Sequence, residues 1–136
     1  MSLANIRSKL KTGLETISGL NVASYIPDVI VLPLAILSLK PDNPVEFDYT
    51  AKDTNYIFHF QIDVLVNKGA SVIQAQVDLD PYIDPTQTSS IKKAVEAVNF
   101  GTDASTYRLI GSPTYGVVTI GSTDYMAVRF NLDIWV

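Results

Sequence analysis

Residues 55–67 read NYIFHFQIDVLVN, and their alternation decides the fold. Tyr56, Phe58, Phe60, Ile62, Val64 and Val66 fall on one side, and Ile57, His59, Gln61, Asp63 and Leu65 on the other. Successive side chains of a strand point to opposite faces, so the stretch is a long strand with one buried face. Residues 123–136, TDYMAVRFNLDIWV, repeat the pattern with Met126, Val128, Phe130, Leu132, Ile134 and Val136. Their other face carries Tyr125, Ala127, Arg129, Asn131, Asp133 and Trp135. Two such apolar rows make a sheet that needs a cover.

Three helical patterns supply it. Leu3, Ile6, Leu10, Leu14 and Ile17 recur at steps of three and four behind Ser2, a capping residue, and Ser18-Gly19 closes the helix. Ser71 and Gln74 form a capping-box pattern before Val72, Ala75, Leu79 and Ile83, with Pro81 expected to end or kink that helix. Ser89 or Ser90 caps a third stripe of Ile91, Ala94, Val95 and Val98. The remaining strands are short. One lies in LNVASYIP. A second spans 34–39, with Pro33 at its start or on an edge because proline donates no ladder hydrogen bond. Residues 41–44 read as a turn, and VEFDYTAKDTN as a strand tip followed by a surface loop. YRLIGSP and YGVVTIG read as two strands, and Gly121-Ser122 as a hairpin turn. The order helix, strands, two helices, strands predicts an α+β fold. It is one domain over residues 1–136, a mixed, mainly antiparallel sheet packed against two to three helices.

Composition narrows the function. Of 136 residues, 47% are hydrophobic and 18% charged, which excludes a disordered chain and leaves apolar surface for a partner. There are no cysteines, so disulfides and thiolate chemistry are excluded. The start MSLANIRSKLKTGLETI lacks the apolar centre of a secretory signal, and the longest apolar-rich run, 29–37, contains Pro33. That run is far short of the ~20 residues a membrane helix needs, so the expectation is a soluble cytoplasmic product without a membrane. The net charge of −4, with no basic run beyond Lys92-Lys93, argues against tight DNA binding, which draws affinity from neutralised phosphates.

No constellation points to catalysis. His59, the single histidine, reads either as a general base or as a polar residue on an outer strand face. Asp63, four positions on, sits ~13 Å away along a strand, so any partner acid must come from another strand. Asp78, Asp80 and Asp84 suggest a cation cluster but lack the calcium-hand pattern, and Asp78 and Asp80 read as solvated at a helix end. GSPTYG lacks nucleophile-elbow spacing, and GVVTIG sits between strands rather than opening a helix onto a phosphate. The seven tyrosines are scattered, without the basic interleaving of a single-strand binder. No catalytic, cofactor or metal residue is therefore assigned, and function is placed in surfaces. Tyr125, Arg129 and Trp135 are the candidates for a subunit interface, since interface cores favour Tyr, Trp and Arg. The alternative is a helix or loop of the same chain packed over that face.

The arrangement resembles the tail terminator (tail completion) proteins of long, non-contractile-tailed bacteriophages. The likeness begins with MSLANIRSKLKTGLETISGLNVASYIPD, continues through YIFHFQIDVLV and SSIKKAVEA, and is most specific in YGVVTIGSTDYMAVRFNLDIWV. Residues 41–54 do not contribute. The resemblance implies a small α/β domain in a homo-hexameric ring seated on the last ring of tail-tube protein. Such a ring halts tube polymerisation and offers the head-completion or adaptor protein its attachment surface. Double-stranded DNA passes through the bore without specific binding. The family implies a virion location in the tail or neck, assembly in the host cytoplasm, no enzymatic activity and no cofactor. Six copies at −4 would carry −24, which repels phosphate if acids line the bore. Asp42, Glu46, Asp48 and Asp53 are the bore-lining candidates, in a stretch that reads equally as an ordinary outer loop. The competing readings are a head-completion or adaptor neck protein and, in another class, a small-molecule-binding module with the apolar sheet as pocket wall. An enzyme comes last.

Overall fold

Strand pairing organises the molecule. The structure is a computed structural model that describes residues 3–47, 56–69, 72–102, 104 and 106–136. Its elements are α1 (Leu3–Glu15), β1 (Asn21–Ala23), β2 (Leu34–Leu39), β3 (Val45–Phe47), β4 (Tyr56–Asn67), α2 (Val72–Ile83), α3 (Ile91–Glu96), β5 (Thr106–Ile120) and β6 (Thr123–Trp135). The six strands form one sheet in the order β1-β2-β4-β6-β5, with β3 pairing β4 off that path. Among the described residues only β1 and β2 run parallel; the other pairs are antiparallel. This is the α+β fold the alternation predicts: one small domain with a mixed sheet and three helices.

The two long alternating strands are neighbours at the centre, with Phe60 opposite Leu132 and Val64 opposite Val128. Their apolar rows, together with Ala35 and Leu37 of β2, form the floor of the main core. Ile6, Leu10 and Leu14 of α1, Ala75, Leu79 and Tyr82 of α2, and Ile91, Ala94 and Val95 of α3 cover it. Phe60, Ile62, Leu132 and Ile134 are fully buried, and each such side chain contributes roughly 1.5–3 kcal/mol by leaving water. Gly13 lets α1 approach α3, because a Cβ there would collide with Val98 Cγ2.

Several elements differ from the sequence reading. α2 runs through Pro81 to Ile83, and Asp84 N–H still donates to Asp80 O. Pro81 removes one ladder bond, to the carbonyl of Val77, and the burial of Leu79 and Tyr82 on either side of it offsets that loss. The buried stripe of α2 is Ala75, Leu79 and Tyr82, while Val72 is half-exposed. Ser90 is the cap of α3, its hydroxyl accepting from Lys93 N–H. Ser2 and Ser71 lie outside the described residues. The two strands expected from YRLIGSP and YGVVTIG are one, β5. Between Ile110, opposite Asn131, and Thr114, opposite Arg129, β5 carries two extra residues in a bulge. Gly111, at φ +66°, takes the left-handed turn, and Pro113 is tolerated because the strand is an edge. The predicted hairpin turn forms at Gly121-Ser122. Gly121 has φ +64° and Ser122 does not have positive φ, the pattern of a type II′ turn.

Candidate functional site

The face of the sheet away from the helices is polar along its middle and apolar at one end. At that end Leu34, Ile36, Leu65 and Ala127 form a second buried cluster. Ile30 and Leu32 cover it from the loop joining β1 to β2, and Val118, Ile120 and Tyr125 pack beside it on the β5–β6 hairpin. The loop is tied down by Asn21, whose Nδ2 donates to Val31 O and Pro33 O, both at 3.2 Å. The β4 strand was expected to have one buried side. Its second side is partly buried as well, because this loop lies over Leu65 and because charged side chains pair across strands.

The register places those pairs. Asp63 stands opposite Arg129, and His59 opposite Asp133. Arg129 Nε donates to Asp63 Oδ1 at 2.7 Å and Nη2 donates to Oδ2 at 3.1 Å, a two-pronged pairing. Hydrogen bonding to Asp63 raises the Arg129 pKa above its ordinary value, against the opposing effect of desolvation. The Asp63 side chain is 11% exposed and that of Arg129 46%.

His59 sits where β2 and β3 succeed one another along the same edge of β4. Its N–H donates to Pro44 O, and its C=O accepts from Lys40 N–H. Its ring is held on both sides, with Nδ1 2.6 Å from Asp133 Oδ1 and Nε2 3.2 Å from Glu46 Oε2. A carboxylate only accepts, so both contacts are hydrogen bonds in the doubly protonated ring alone. The cross-strand acid that a histidine site requires is therefore present. The carboxylates bracket the ring instead of converging beside it, and both nitrogens are occupied. Among the described residues no group of three or more His, Asp or Glu side chains is placed to hold a metal ion. Asp78 and Asp80 are exposed toward the C-terminal end of α2, Asp80 in its last turn.

The three interface candidates share this face but not one spot. Tyr125 and Trp135 are ten residues apart on β6, ~33 Å along a strand. Tyr125 packs on the second apolar cluster, half-buried. Arg129 pairs with Asp63 midway along the strand. Trp135 is half-buried with the Arg108 guanidinium 5.8 Å above its ring, a cation–π contact. A loop of the same chain thus covers one end of the face, and α1, α2 and α3 lie on the other side. Of the bore candidates, Asp42 is exposed in the turn between β2 and β3. Glu46, on β3, is exposed yet engaged by His59. Asp48 and Asp53 fall outside the described residues.

Sequence reasoning missed the Glu46–His59–Asp133 cluster and the Asp63–Arg129 pair. A signal for them existed. One antiparallel register of the two alternating rows sets His59 opposite Asp133 and Asp63 opposite Arg129, and complementary polar pairs of this kind stabilise a register. Among the described residues no helix is long and apolar enough to cross a membrane. No protein-family model matches the chain, and the search of curated proteins returned no match either.

Proposed function

We propose that the chain is a neck protein of a long, non-contractile-tailed bacteriophage: a tail terminator that assembles as a homo-hexameric ring. In this role it caps the tail tube, ends its polymerisation and presents the surface to which the filled head attaches through its completion or adaptor protein. DNA passes through the bore, with Asp42 and Glu46 as acids that would discourage adhesion. The mature particle is the site of action, and no chemistry is performed.

The observation that carries this reading is surplus surface. Three helices cover one side of the sheet, and the other side is covered at one end only. Meanwhile Tyr25, Ile26, Val29 and Val31 on the loop, and Ile73 and Val77 on α2, remain at least half-exposed. Exposed apolar side chains grouped on one loop and one helix face support a contact surface there. A closed ring needs two different patches on each subunit. Light scattering over a range of concentrations tests the reading. Six copies of a 14.9 kDa chain give about 89 kDa, with rings in electron micrographs. A monomer at every concentration overturns it.

A further inference from the structure

We infer that the ring contact is made by the β1–β2 loop of one copy seated on the α2 and β5 surface of the next. This rests on the ring reading and names its two halves. The first half is residues 24–32, on the face of the sheet away from the helices. Tyr25 (73%), Ile26 (62%), Val29 (74%) and Val31 (55%) point into water there. The second half lies on the helix side. Ile73 (75%) and Val77 (51%) stand one turn apart on the outer surface of α2. Tyr115 and Val117 of β5 are about half-exposed on the same side, since they pair with the helix-facing Val128 and Met126.

Three observations make a second copy the occupant. The patches lie on opposite faces of one sheet, so a two-fold contact that joins like to like would leave one of them wet. A head-to-tail contact covers both with every copy added and closes when the rotation allows. Their polarity also matches. The loop carries a single charge, Asp28, and residues 72–77 and 109–123 carry none. A partner recognised by charge finds no complement on either patch, whereas each patch suits the other. Finally, the loop is already ordered by Ile30 and Leu32 in the second cluster and by Asn21 beneath it. Docking a preorganised loop spares the entropy of fixing it.

Val29→Asp and Ile73→Asp test the assignment, because both side chains are exposed and either change should leave circular dichroism intact. Wild type gives the ring mass in light scattering, and each variant alone gives the mass of one chain. An equimolar mixture of the two gives pairs of about 30 kDa and nothing larger. In that mixture the intact loop of Ile73→Asp meets the intact α2 surface of Val29→Asp, and the broken halves stop growth. Ring mass retained by either variant overturns the assignment while the ring reading stands. A variant that keeps its ring but no longer binds tube ends gives that patch to the tube protein. A dimer formed by one variant alone replaces head-to-tail contact with a two-fold one. A monomeric wild type fails the ring reading itself.

Discussion

On the helix side of the sheet, Phe60, Ile62, Val64, Leu132 and Ile134 are closed off from water by three helices. On the other side the same two strands hold His59 against Asp133, and Asp63 against Arg129, in partial contact with solvent. The dry side supplies stability, because apolar area leaves water without regard to direction. The paired side supplies little net stability but fixes which residue faces which. A slip by one residue would bury the charges and expose the row of Phe60. Stability and register are thus held by opposite faces of the same two strands.

The strongest attack on that contrast is Phe60→Ala. It leaves a cavity under the helices and should cost about 3–5 kcal/mol in urea denaturation. Next comes Arg129→Glu. The Asp63 carboxylate lies beneath this position, and a second carboxylate would oppose one that is nearly buried. A loss of roughly 2–3 kcal/mol is expected, of the size seen when a buried charge loses its partner. Asp63→Asn should cost less, about 1 kcal/mol, since Arg129 is half in water and can hydrate. Equal losses in the two variants would mean that the pair is not asymmetrically buried.

Tyr107→Phe sharpens the dry side. The Tyr107 hydroxyl donates to Glu96 O at 2.9 Å or Val98 O at 2.7 Å, tying β5 to the end of α3. Its loss should cost about 1 kcal/mol, the usual net value of such a bond. The smallest effect is expected at Asp84, in the loop after α2. Thr86 N–H donates to its carboxylate, and that bond, with a second from the Thr86 hydroxyl, lowers the Asp84 pKa. A lowered folded-state pKa adds stability above the unfolded carboxylate value, and this is lost as pH falls through the folded value. Asp84→Asn should therefore lower neutral stability slightly, leave stability at acid pH unchanged, and so flatten the acid limb. A steeper acid limb would contradict the assignment.

Much of the fold was legible because burial has a period. The alternation from Tyr56 to Val66 and from Met126 to Val136, and the stripe of Ile6, Leu10 and Leu14, each report one face of one element. What escaped was whatever depends on two elements at once. Gly111 and Pro113 look like a strand break, and only pairing with β6 turns them into a bulge. Pro81 looks like a stop, but the packing of Tyr82 in the core carries α2 past it. The partners of His59 are not legible along its own strand, because Asp133 lies 74 residues away and Glu46 on another strand. The interface candidates were found as residue types but not as a patch, because the exposed apolar side chains lie on the β1–β2 loop and α2, where no strand period reveals them.

The decisive measurement is capping of a growing tube. Purified protein is added to polymerising tail-tube subunits, and tube lengths are measured by electron microscopy. Growth should stop, with one ring at the end of each tube. Tubes that keep lengthening in its presence, with no ring at their ends, would contradict the terminator role.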